Sequence, residues 1–155
     1  MYRAKAAGQG GFARYDPGMH TELVARVQLE ADLRRALDEG ELYLYYQPTF
    51  DLASGQIVGA EALARWRHPT RGLVPPTEFI PLAEASGLIR PLGAWVLREA
   101  CRQAAAWQRT SPPRDKPLAL SINLSGRQLQ FPQVVDDVAQ AWRSAGCPRT
   151  RWCWR

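Results

Sequence analysis

What this 155-residue chain lacks already narrows its reading. It has no run of 18 or more apolar residues, so no helix is expected to cross a membrane. A secretory signal is not expected either. Met1-Tyr2-Arg3-Ala4-Lys5 starts basic, but glycine and glutamine interrupt any apolar stretch behind it. Cysteine is scarce: Cys101, Cys147 and Cys153 are odd in number and lack metal-ligand spacing, which argues against a disulfide framework or a zinc site. Free thiols fit a reducing compartment, and the expected location is the cytoplasm. A basic binding face is missing too. Residues 1 to 140 carry 16 basic and 15 acidic side chains, and most of the net +5 comes from Arg143, Arg149, Arg151 and Arg155, with no acid among the last fifteen residues. No nucleic-acid partner is therefore expected.

What remains is a chain that is 46% hydrophobic, enough for the core of one ordinary domain. From Thr21 to about Glu39, Leu23, Val27, Leu33 and Leu37 recur at helical spacing, and Gly40 supplies a stop. Tyr43, Tyr45 and Gln47 then alternate with Leu42, Leu44 and Tyr46 in a strand that Pro48 is expected to end. Ala53-Ser54-Gly55-Gln56 reads as a turn, and Ile57 opens a second strand, so this pair is expected to be antiparallel. Thr77 is placed to cap a short helix running through Glu84 to Gly87. Leu88, Leu92, Val96, Ala100, Ala104 and Trp107 mark a longer amphipathic helix, whose tryptophans and cysteine read as core. Leu118 to Leu124 loses the polar alternation of a one-sided strand, as strands buried on both faces do, and Gln133 to Ser144 closes with another helix near Gly146. Strands alternating with helices predict a parallel α/β architecture.

One segment does not fit a purely structural account. Gly59-Ala60-Glu61-Ala62-Leu63-Ala64-Arg65-Trp66 sets a carboxylate inside an apolar strand. Strand alternation puts Glu61, Leu63 and Arg65 on one face, with Ala60, Ala62, Ala64 and Trp66 on the other. An acid there needs a partner, because an unpaired buried carboxylate costs several kcal/mol. Either Arg65, as a structural ion pair, or a metal ion meets that need.

The surrounding words decide how the segment is read. Tyr45-Tyr46-Gln47-Pro48 lies upstream; Pro75-Pro76-Thr77-Glu78-Phe79-Ile80-Pro81-Leu82-Ala83-Glu84 lies downstream, followed by Ser121-Ile122-Asn123-Leu124-Ser125 and Gln128-Leu129. In this order and spacing, from about Leu23 to about Gly146, the chain resembles the EAL domain, a family of bacterial phosphodiesterases that hydrolyse cyclic di-GMP. The family triplet stands here as Glu61-Ala62-Leu63. The resemblance implies a TIM-like (β/α) barrel with one antiparallel strand. It implies hydrolysis of cyclic di-GMP to linear pGpG with Mg²⁺ or Mn²⁺ as cofactor. Glu61 and Asn123 match the family's metal-ligating residues; Gln47, Leu63 and Arg65 match positions that contact or line the substrate site. Hard oxygen donors suit such cations, and an arginine fork suits a phosphate. Dimerisation of intact domains is a further expectation from the resemblance.

The same resemblance sets limits. A (β/α)8 barrel needs about 250 residues, so the expectation is a partial barrel, about half complete, over residues 17 to 148. The family's later acidic ligands have no counterpart here. Asp136-Asp137 reads instead as a solvated helix face, and Glu84 as an ordinary carboxylate near a helix end. The sequence closes Pro148-Arg149-Thr150-Arg151-Trp152-Cys153-Trp154-Arg155, where the family reads approximately Arg-Leu-Glu-Leu-Glu. A shift of reading frame, in the gene or in its sequencing, is the expected cause of that change, and residues 149 to 155 are accordingly set apart from the domain. Residues 1 to 16 resemble the end of a GGDEF domain, the diguanylate cyclase family, whose missing upstream parts could carry a membrane anchor. The chain is thus expected to be an inactive fragment of a phosphodiesterase, with a degenerate module that binds cyclic di-GMP or a protein partner as the alternative.

Overall fold

The computed structural model describes residues 17–110, 118–146 and 152–154. The GGDEF resemblance of residues 1 to 16 lies outside the described residues. Helix α1 (Pro17–Glu39) leads into strands β1 (Leu42–Phe50), β2 (Ile57–His68) and the short β3 (Gly72–Val74). Helices α2 (Pro76–Ser86) and α3 (Ile89–Thr110) follow. Strand β4 (Ala119–Ile122), a 3₁₀ turn (Gln128–Gln130), helix α4 (Gln133–Ala145) and strand β5 (Trp152–Trp154) complete the described elements.

The sheet runs β1-β2-β4-β5. β1 and β2 pair antiparallel, with Gln47 opposite Glu61 and Tyr43 opposite Arg65. β2 and β4 pair in parallel, with Glu61 opposite Ser121. This is the antiparallel pair followed by a parallel unit that the turn and strand patterns predict. β3 continues beyond β4 along the same edge of β2, because Trp66 pairs with Leu42 on one side and Val74 on the other. Trp152–Trp154, in the tail that the sequence reading sets apart, pairs in parallel with β4.

Two expectations need correction. Pro48 does not end β1, which runs on to Phe50. Among the described residues β1 is paired on one side only, an edge position that tolerates a residue without an N–H. Thr77 does not cap α2. Pro75 holds the N-cap position in extended backbone and Pro76 opens the helix, where a fixed φ is favourable and the missing N–H is not needed. The predicted stops do hold: Gly40 and Gly87 adopt φ values of 74° and 81°, which a residue with a Cβ reaches only with strain.

The helices pack on one face of the sheet. At one end Leu29, Leu33, Leu42, Trp66, Phe79, Leu82 and Leu92 form a buried cluster joining α1, α2, the start of α3 and the strands. Further along α3, Leu97, Ala100, Cys101 and Ala104 pack with Ala62, Leu120, Ile122 and Ala141. The alanines of β2 leave room for α3 to lie close to the sheet. Gly59 serves close approach in another direction: a Cβ there would sit 2.5 Å from the Ala119 carbonyl oxygen and 2.9 Å from Thr49 Oγ1. Cys101 is buried in the core, as the periodicity of α3 implies.

A polar network seals the α1 end of this core. Asp32 and His68 are buried, with His68 Nε2 3.1 Å from Asp32 Oδ2. His68 Nδ1 accepts from the backbone N–H groups of Thr70 and Arg71, both at 3.2 Å, so in the neutral ring the proton resides on Nε2, facing Asp32. Arg35 bridges Asp32 at 3.0 Å and Glu41 at 3.2 Å, and Glu41 accepts from the Trp66 indole at 3.0 Å. Burial by itself would raise the Asp32 pKa. Hydrogen bonds from His68 and Gln28, with the charge of Arg35, outweigh it and hold the carboxyl below its ordinary value.

Candidate functional site

Alternation along the three strands builds the other face of the sheet. β1 contributes Tyr43, Tyr45 and Gln47, β2 contributes Glu61, Leu63 and Arg65, and β4 contributes Ser121 with Asn123 one step beyond its end. The division of β2 follows the predicted pattern: Ala62 and Trp66 are buried and the half-buried Ala60 and Ala64 pack against the same clusters, whereas Glu61, Leu63 and Arg65 are half-buried on the other face.

The structure brings Glu61 and Asn123 into direct contact. Asn123 Nδ2 donates to Glu61 Oε1 at 2.6 Å across 62 residues of sequence. Parallel pairing explains the meeting: Ser121 stands beside Glu61, so the residue two positions on projects from the same face, just past the carboxylate. Gln47 pairs with Glu61 from the other side, and Leu63 lies opposite Tyr45. Gln47 was expected beside the end of its strand at Pro48, yet it lies inside β1, as Glu61 lies inside the long β2. It is β4 that stops at Ile122, and its short length leaves Glu61 beside an open loop.

Arg65 is not the partner of Glu61, so the structural ion pair drops out. Its Nη1 donates to the Ala64 carbonyl at 2.8 Å, and its guanidinium lies 5.5 Å from the Tyr45 ring centroid. Arg67 lies likewise 5.4 Å from the Tyr43 ring centroid. Four residues of extended strand separate the Glu61 and Arg65 Cα atoms by about 13 Å. The acid and the base therefore do not neutralise each other, and aromatic faces hold two guanidinium groups towards the far end of β2. Tyr43, Tyr45 and Arg67 were not singled out from the sequence. The signal was present, since each lies two or four residues from a recognised position on its strand and so shares its face.

A carboxylate oxygen and an amide oxygen are the donors that Mg²⁺ or Mn²⁺ prefers, and Glu61 and Asn123 carry one of each kind within reach of one another, the Asn123 amide nitrogen facing Glu61 in this structure. The donor set fits such a cation, though it supplies two ligands only. Among the described residues no three His, Cys, Asp or Glu side chains cluster in a way that could hold a metal. Asp136 is exposed and Asp137 half-buried on α4. Glu84, on α2, offers its backbone carbonyl to Arg127 Nη1.

The comparisons with known proteins identify the family. Residues 30–153 match the EAL domain. The chain belongs to the EAL domain family, and its mixed α/β sheet, with β1 and the short β3 antiparallel to β2, matches part of the TIM-like barrel of that family. It is 42% identical over 151 residues to an uncharacterized signaling protein of Caulobacter vibrioides, covering 97% of this chain and 18% of that protein. It is 40% identical over 141 residues to the bifunctional diguanylate cyclase/cyclic di-GMP phosphodiesterase MucR of Pseudomonas aeruginosa, covering 91% of this chain and 20% of that one. Among solved structures, the PaMucR phosphodiesterase in complex with c-di-GMP superposes with a TM-score of 0.75 at 39% identity, over 82% of this chain and 50% of that chain. The chain thus spans about a fifth of the length of the curated relatives it matches.

Proposed function

We propose that this chain carries part of a cyclic di-GMP phosphodiesterase site, in which Glu61 and Asn123 hold Mg²⁺ or Mn²⁺ while Arg65, Gln47 and Leu63 receive the nucleotide. The observation that carries the reading is the 2.6 Å contact between Glu61 and Asn123 on a sheet face that also bears Arg65. When bound, the cation would activate water and stabilise charge on the phosphodiester. The residues of the chain have distinct tasks. Glu61 contributes negative charge, and Asn123 a neutral oxygen carried just past the end of β4. Arg65, braced by Tyr45 and the Ala64 carbonyl, offers its remaining N–H donors to a phosphate. Mg²⁺ is commonly held by one or two carboxylates together with substrate phosphates, so metal and nucleotide should bind interdependently.

We further propose that the chain by itself binds without turnover. Two metals about 3.5 to 4 Å apart need several carboxylates to bridge them, and this site has one. Residues 1 to 16 are proposed as the end of a GGDEF domain, an arrangement consistent with the bifunctional relative MucR. Residues 149 to 155 are proposed to result from a shifted reading frame, which resequencing the locus would test. The catalytic proposal is tested by incubating the purified chain with cyclic di-GMP and Mn²⁺ or Mg²⁺ and resolving the products by chromatography. No pGpG should form, while calorimetry detects metal-dependent binding that Arg65→Ala abolishes. Turnover that disappears in Glu61→Gln would overturn the inactive reading and restore that of a working enzyme. Absence of any binding would remove the nucleotide site itself.

A further inference from the structure

Asn123 stands on a stretch without helix or strand between the end of β4 at Ile122 and the 3₁₀ turn at Gln128, so downstream anchors decide where its amide points. Ser125-Gly126-Arg127-Gln128 supplies one. Gln128 Oε1 accepts from the Ser125 N–H at 3.0 Å, and the Gln128 N–H lies 3.4 Å from Ser125 Oγ. This is the reciprocal S-x-x-Q capping arrangement, which satisfies two backbone donors at once. The Gln128 N–H also reaches the Ser125 carbonyl at 3.0 Å. The Gln128 side chain is buried, 7% exposed, and it rests against α3 at Gly93. A Cβ on Gly93 would fall 1.8 Å from Gln128 Nε2 and 2.8 Å from its Cδ. Glycine inside a helix costs about 1 kcal/mol relative to alanine, and here its bare backbone provides the seat for the amide. Arg127 ties the same turn to the Glu84 carbonyl at the end of α2.

We infer that the contact between Gly93 and Gln128 is a latch that positions Asn123 against Glu61. The inference rests on the reading of Asn123 as a metal ligand. It adds that a helix on the opposite side of the loop sets the aim of that ligand. Gly93 and Gln128 are positioning residues: they touch neither metal nor nucleotide and act through Ser125 and the two residues before it.

The test is a double-mutant cycle in the full chain, Gly93→Ala, Gln128→Ala and the pair. Three readouts apply to each: thermal unfolding, Mn²⁺-dependent binding of cyclic di-GMP, and the side-chain amide resonance of Asn123. That resonance, assigned by its loss in Asn123→Asp, should be displaced by the short hydrogen bond to the Glu61 carboxylate. Gly93→Ala should weaken binding about tenfold, the low end of what losing an outer partner costs a metal site. It should also return the Asn123 resonance to the position of a solvated amide. In the Gln128→Ala background, where nothing remains to be displaced, adding Gly93→Ala should change affinity less than about twofold. Equal losses in both backgrounds, or an undisturbed Asn123 resonance in a folded Gly93→Ala protein, overturn the latch. If Gly93→Ala does not fold, Gln128→Ala reads the same resonance without adding volume, and an unchanged signal overturns the latch equally. Should Asn123→Asp and Asn123→Ala bind Mn²⁺ and nucleotide normally, the ligand reading falls instead, while the resonance still reports whether the latch aims Asn123.

Discussion

Two acids in this molecule, Asp32 and Glu61, invite comparison. Asp32 is buried and closed in by His68, Gln28 and Arg35, a set of partners that lowers its pKa despite burial. Glu61 lies on the uncovered sheet face, where Asn123 donates to it through a loop amide at 2.6 Å. Both stand beside apolar clusters, yet Asp32 has close partners on both carboxylate oxygens, whereas among the described residues Glu61 accepts from Asn123 alone. A carboxylate with its hydrogen bonds filled contributes to the fold. One held in place but incompletely filled is ready for a cation.

Substitutions can break that contrast. The largest effect is expected at the open acid: Glu61→Gln should lower Mn²⁺-dependent cyclic di-GMP affinity by about 100-fold or more, beyond what an outer partner would cost. Its change in unfolding free energy should stay within about 0.5 kcal/mol, as for other substitutions away from the core. Paired calorimetry and denaturant titration check both halves, and a large stability loss would erase the contrast. On the closed side, Trp66→Ala removes a fully buried side chain and a hydrogen bond to Glu41, and should cost about 3 to 5 kcal/mol in denaturant unfolding.

Asp32→Asn should cost about 2 to 3 kcal/mol near neutral pH, in the range for hydrogen bonds to a charged group, without altering nucleotide affinity. The pH dependence sharpens the point. Asp32 has a folded-state pKa below its ordinary value of 3.8, so its stabilisation is complete above that value and is lost as pH falls through the lowered one. The difference between wild type and Asp32→Asn should therefore be full at neutral pH and close in acid, as measured by unfolding at a series of pH values. Tyr46 gives the smallest effect. Its hydroxyl is buried with no hydrogen-bond partner among the described residues, and burial, with Glu99 nearby, raises its pKa. Tyr46→Phe should keep the edge-to-face packing on Trp107 and be neutral or stabilising by up to about 1 kcal/mol. A clear loss of stability would point to a partner for that hydroxyl.

Much of this arrangement was legible in the chain. The spacing of Leu88 to Trp107 marked α3, and the turn at Ala53–Gln56 marked the antiparallel pair. The alternation through Glu61, Leu63 and Arg65 separated the two faces of β2. Contacts between distant residues were less legible. Glycine at position 93 looks like a weak point in a helix until Gln128 is seen resting on it. Ser125 and Gln128 match a capping pattern whose importance depends on Asn123, two residues upstream. The strand through Pro48 also escaped local reasoning, because a proline's tolerance depends on whether its strand has a neighbour on that side.

The sequence by itself determined the periods, the stops and the words that identify an EAL domain, since these depend on local stereochemistry and on residue order. Tertiary structure alone decided that Glu61 meets Asn123 rather than Arg65. Parallel pairing of β2 with β4 sets that register over 62 residues, and the pleat keeps the arginine about 13 Å along the strand from the acid.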